Sequence, residues 1–183
     1  SMKMLVRRTA GGVALPFTLA DLKQHMRVSD ASEDSAIENI GLTAAAEIEQ
    51  FAQIALLTQT VVVTIYDPQG ADGLSLPIGP LNEGDTPTVM IDGSPSTAFD
   101  VVPGLRPYLR WHDTFRSLCP TLIKIEYQPG FGASADDIPA DLAQALMDQA
   151  ALHYDGRSPM DAKSLTTSPH MARIGARYRG VQL

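Results

Sequence analysis

The sequence predicts an α+β fold, mainly helical, in which a small helical bundle drawn from both chain ends carries a projecting β-hairpin-rich insertion. Three observations predict it. Ile37, Ile40, Ala44, Ile48, Phe51 and Ala55 recur at gaps of three and four residues, the period of one helix face. Leu142, Ala145, Leu146, Gln149, Leu152 and His153 form a similar helical stripe with one polar member. Between the two, the composition turns β-branched and aromatic, punctuated by Gly and Pro. Strands do not alternate with helices, so a doubly wound parallel sheet is not expected. Residues 1–183 are read as a single domain, with a helical core at 17–56 and 136–156, a β-rich insertion at 57–132 and a C-terminal tail at 157–183.

In chain order, residues 1–16 read as an extended arm, loosened by Gly11-Gly12 and stopped by Pro16. Ser1 before Met2 reads as a residue left by tag cleavage. Thr18 can cap a short helix with Asp21 three residues on, and Leu19, Leu22 and Met26 share its face. Asp30 or Ser32 can cap the long helix that follows, with Glu33-Asp34 at the positive end of its dipole. Thr60 to Tyr66 reads as a strand, and Asp67-Pro68-Gln69-Gly70 as a turn. Further short strands are expected at Leu74–Ile78, Thr88–Ile91, Thr97–Val102 and Leu122–Tyr127, with Asp92-Gly93 as a hairpin turn. Residues 103–121, which include Trp111, show no period. Pro139 suits a first helical position after Asp136-Asp137, and the last long helix ends near Asp155-Gly156. The tail is interrupted by Pro159, Pro169, Gly175 and Gly180.

Composition narrows the function. The 183 residues are 44% apolar and carry 14 Lys and Arg against 21 Asp and Glu, for a net charge of −7. An acidic surface repels phosphates, so general nucleic-acid binding is disfavoured. With one cysteine, Cys119, the chain cannot form an internal disulfide. No transmembrane stretch or export signal is read, so a soluble chain made in a cytoplasm is expected. His25, His112, His153 and His170 are scattered, and no Cys pair or His-Glu-x-x-His pattern marks a metal site. No Gly-x-Ser-x-Gly elbow occurs, Cys119 has no local feature that would activate it, and the carboxylate pairs sit where helix starts use them. Gly130-Phe131-Gly132 lacks the Lys and Ser/Thr of phosphate loops. No catalytic, cofactor-binding or metal-ligating residue is therefore expected, and no cofactor.

Three blocks carry a family resemblance: Pro16–Val28 leading through the acidic Asp30–Asp34 segment into the long helix; Leu56-Leu57-Thr58-Gln59-Thr60 leading into a strand; and Ile123–Gly132 continuing through Ile138-Pro139 into Leu142–Tyr154 and Arg157. In order and spacing they resemble the head–tail connector (adaptor, or head-completion) proteins of long-tailed phages and gene transfer agents, over roughly residues 16 to 157. Two departures stand out. Gln53-Ile54 replace a common Gly-Arg turn, and Val61 or Val62 replaces a frequent Trp.

The resemblance implies a non-enzymatic structural subunit of the virion, made in the host cytoplasm. It implies a ring of about twelve copies at the head–tail junction, joining the portal protein to tail and neck proteins, with DNA passing through the channel without specific binding. No membrane is involved. The acidic balance suits such a channel. In the tail, Leu165, Met171, Ile174 and Tyr178 supply apolar anchors, and Arg173, Arg177 and Arg179 supply donors. These residues are the candidate portal-docking segment, expected to order only on docking; the alternative is a segment folded back on its own domain. The rival functions are a tail-completion or neck protein on the tail side, a hydrolase using His112 or His153, and a small-ligand binding module.

Overall fold

A computed structural model of the chain describes residues 1–156 and 169–179. The chain divides into two compact units, one made of Ser1–Gly12 with Thr58–Gly130, the other of Val13–Leu57 with Phe131–Leu183. Of the extended arm expected at residues 1–16, Ser1–Gly12 belong to the β-rich unit.

In the β-rich unit, a five-stranded antiparallel sheet has the order β1 (Lys3–Ala10), β2 (Gln59–Tyr66), β8 (Leu122–Tyr127), β4 (Thr88–Ile91), β5 (Ser94–Ser96). Val63 pairs with Ile125, and Ile125 with Val89, so one face carries Val61, Val63, Ile65, Ile123, Ile125 and Val89, all buried. Lys124 and Glu126 take the other face and are exposed. The Asp92-Gly93 turn joins β4 to β5, with both residues at positive φ (47° and 85°), as a two-residue hairpin of matching twist requires. The Asp92 carboxylate accepts hydrogen bonds from the Thr121 hydroxyl and the Thr121 and Leu122 amides, which hold it below the usual carboxylate range, the hydroxyl most strongly.

A second sheet, β3 (Gly73–Ser75), β7 (Tyr108–Trp111), β6 (Phe99–Val102), completes this unit. The stretch 103–121, without a period in the sequence, holds β7 and a one-turn helix, α3 (Asp113–Arg116), fastened by Trp111 stacked on Phe115 at 4.0 Å. The expected strand at Leu74–Ile78 is shorter, and Ile78 is instead held by Tyr127. The Tyr127 hydroxyl donates to the Ile78 carbonyl (2.8 Å) and accepts from its amide (2.9 Å), and burial pushes its pKa upward. Tyr127→Phe removes both bonds and leaves two buried backbone groups unpaired. We expect a loss of about 2 kcal/mol in urea unfolding, and no change would show that these groups find other partners.

The helical unit holds α1 (Leu19–Met26), α2 (Asp34–Ala52), α4 (Ala140–Gly156) and α5 (Pro169–Ile174), the last continuing into a π-helical turn, Gly175–Arg179. Thr18 caps α1 by accepting from the Asp21 amide, and Arg27 ends it at φ 59°. Asp30 caps a 3₁₀ turn, Ala31–Glu33, that leads into α2. The predicted stripes meet: Leu22, Ile37, Ile48, Leu142 and Leu146 are at most 1% exposed and share one cluster with Phe17, Ile54, Leu56 and Ile138. Leu19, Ile40 and Phe51 pack at its margin, and Leu152 is half-buried. Phe51→Ala therefore costs less than the roughly 3–5 kcal/mol of a fully packed Phe. Gly41 on α2 lets the helices close: a Cβ there would lie 2.6 Å from both Leu22 Cδ1 and Phe17 Cζ.

Candidate docking surface

The candidate docking segment is split between core and surface. Met171, Ile174 and Tyr178, at spacings of three and four, are 0%, 5% and 3% exposed and belong to the core of the helical unit. Arg173, Arg177 and Arg179 are exposed. Leu165 lies outside the described residues. Three of the four apolar anchors thus pack within the helical unit, which leaves the arginine face for a partner. The physical reason is amphipathicity. The apolar positions of this short helix fall on one face, and the side of the bundle lined by Phe51, Phe131 and α4 accepts them. Tyr178 sets its ring edge-on to Phe131 at 6.2 Å, and its hydroxyl donates to Asp141 Oδ1 at 2.6 Å. Burial, reinforced by that hydrogen bond, pushes the tyrosine pKa up to about 12. Arg177 completes the corner with an ion pair to Asp141 Oδ2 at 3.1 Å and a position over the Tyr178 ring.

A polar relay fastens the same segment. Gln149 on α4 has no exposed surface; its amide nitrogen donates to Glu47 Oε2 at 2.8 Å, and its amide oxygen accepts from His170 Nε2 at 2.8 Å. His153 makes a short hydrogen bond to the other Glu47 oxygen. Tyr154 donates to Glu33, and His25 pairs with Asp148. The histidines isolated in sequence are thus bound to carboxylates or amides: His153 and His170 within the helical unit, and His112 to Asp100 in the β-rich unit. Among the described residues no group of three or more His, Cys, Asp or Glu could hold a metal ion. Cys119 is exposed, and no helix among the described residues is long and apolar enough to cross a membrane.

Burial lowers the His170 pKa; Asp148 opposes the shift and Arg173 adds to it. Its neutral form is therefore the packed one. The unfolded imidazole takes up a proton near pH 6.5, so this stabilisation is present above that pH and is lost as pH falls through the lowered folded value. We expect amide exchange at Met171–Tyr178, corrected for intrinsic rates, to accelerate below about pH 6.5. The increase should be smaller in His170→Asn, which keeps a donor but does not titrate. Equal pH dependence in both proteins would remove His170 from the linkage.

Outward, the segment presents its arginines. Beside them lies an open groove of about 410 Å³ between α4 and α5, lined by Asp141, Asp148, His170, Arg173, Ile174 and Arg177. It has an apolar floor and charged rims of both signs, the character of a surface that meets another protein.

No family model matches the chain, and no curated protein sequence does. Solved structures do match in fold. A chain of the virion of a native gene transfer agent particle superposes with a TM-score of 0.73 at 24% identity, covering 96% of each chain. A chain from the neck of the empty particle, computed with C6 symmetry, gives 0.73 at 22% identity over 97% of each. One from the neck of the native particle, computed with C12 symmetry, gives 0.71 at 24% identity over 99% of this chain and 97% of that one. The α+β fold, with its helical unit and two antiparallel sheets, is thus the fold of chains found in gene transfer agent necks.

Proposed function

We propose that the chain is a non-enzymatic structural subunit of a virion or virion-like particle, forming a ring in the neck that joins the portal to the tail and continues the DNA channel. The observation that carries this reading is the fold match over nearly the whole length of both chains, to components of necks computed with six- and twelve-fold symmetry. The net charge of −7 is suited to a channel wall that DNA must pass without adhering. Docking on the portal is assigned to the exposed face of the C-terminal segment, Arg173, Arg177 and Arg179, whose guanidinium groups suit acidic or carbonyl acceptors.

The test is reconstitution with the portal protein of the same particle, followed by negative-stain imaging. Rings seated on the portal, weakened by Arg173→Glu with Arg179→Glu, are the expected result. Rings that bind only tail-tube protein would move the subunit to the tail side, and no binding to either would overturn the reading.

A further inference from the structure

The five-stranded sheet ends in two unlike edges. β5 has three residues with Pro95 in the middle, and proline offers no amide to a further strand. β1 has eight residues and no proline, and among the described residues only β2 pairs with it. The hydrogen-bond phase tells which of its groups are open. Gln59 donates to the Pro129 carbonyl and Asp67 to that of Thr121, so the odd-numbered residues of β2 bond toward β8 and the even-numbered ones toward β1. Opposite those even residues stand Lys3, Leu5, Arg7 and Thr9. Met4 and Val6 therefore turn their amides and carbonyls away from the sheet.

Their side chains point the same way as the sheet's core. Met4 stands opposite Ile65 and Val6 opposite Val63, and these β2 residues are 1% and 0% exposed. Met4 and Val6 are 36% and 43% exposed. The apolar face that is covered at β2 thus runs on uncovered at β1, beside an open backbone ladder.

Charge narrows the occupant. Lys3, Arg7 and Arg8 are three of the chain's 14 basic residues, and β1 holds none of its 21 acidic ones, so the rest of the molecule is more acidic than the net −7. Cations on an edge guard it against pairing with its own copy, because two β1 strands side by side would bring six positive charges onto one ladder. They do not guard it against an acidic strand. A contact between unlike surfaces of two copies is heterologous, and repeated it makes a ring or an open filament.

We propose that the β1 edge is where one copy of this chain receives an acid-bearing extended segment of the next, pairing backbone to backbone at Met4 and Val6 and covering their side chains. The proposal rests on the ring reading above and names the contact that would build the ring. The test is sedimentation of the full chain over a range of concentrations at low salt, with Val6→Pro and Val6→Lys as variants. The Val6 amide points away from β2, so proline there leaves the β1–β2 ladder intact; lysine keeps the backbone and charges the uncovered face. We expect the wild type to form rings or open oligomers that weaken with added salt, and both variants to associate at least roughly tenfold more weakly. Rings that persist unchanged in both variants would overturn this contact while leaving the ring reading standing. A wild type that stays monomeric throughout would also overturn it, with the ring reading then resting on reconstitution with portal.

Discussion

Truncation before Pro169 is expected to lower the thermal midpoint by roughly 10 °C, the equivalent of about 3 kcal/mol in a chain of this size. The segment removed contains Met171, Ile174 and Tyr178, each at most 5% exposed. Their gross burial is worth more than this net figure, but the truncated chain no longer bears the entropy cost of ordering the segment. What remains is close to the penalty of one large core cavity, since Phe51, Phe131 and the α4 face would lose their cover. Differential scanning calorimetry of the full and truncated chains measures it. An unchanged midpoint would mean that the anchors contribute nothing to the isolated subunit, and the docking idea in its original form, with the segment ordered only by a partner, would return. Met171→Ala is the milder check, because it leaves the arginine face in place.

The signal for this packing was present in the sequence. Met171, Ile174 and Tyr178 keep helical spacing, yet Pro169 and Gly175 read as interruptions. In the fold Pro169 opens the helix, where its missing amide is harmless, and Gly175 is a point of close approach: a Cβ there would come within 2.6 Å of Phe51 Cε1. The same residue types that break a helix in solution mark its start and its contact here. By contrast, α2 and α4 were legible because each buries one continuous face, β8 because its buried positions are β-branched or aromatic at period two, and β2 because Val61, Val62, Val63 and Ile65 form a buried β-branched run. β1 was not legible as a strand. Seven of its eight residues are exposed, so no burial pattern is written into it, and Arg7-Arg8 interrupt what apolar character it has. β7 and α3 were missed for another reason: each is four residues long, and what holds them is the Trp111–Phe115 stack and pairing with β3 and β6, none of it periodic.

Gln149→Leu is expected to destabilise the chain by about 2 kcal/mol although it makes the α4 stripe wholly apolar. Leucine is close in size and would gain transfer energy at a site with no exposed surface. Against this, it strands two polar groups. Glu47 Oε2 loses the amide at 2.8 Å, and the His170 Nε2–H loses its acceptor at the same distance. A half-buried carboxylate and a half-buried imidazole without these partners each carry a desolvation penalty of roughly 1–3 kcal/mol, which together exceed the apolar gain. The relay spans three helices, so its loss also frees the start of α5, and exchange at Met171–Ile174 should rise in the same variant. Replacing Glu47 as well, by Met, removes one stranded group. The double variant should recover part of the loss, and that non-additivity in urea unfolding measures the coupling between the two side chains. A Gln149→Leu chain as stable as the wild type would show that the relay is incidental to the packing. It would leave apolar burial alone holding the C-terminal segment on the bundle.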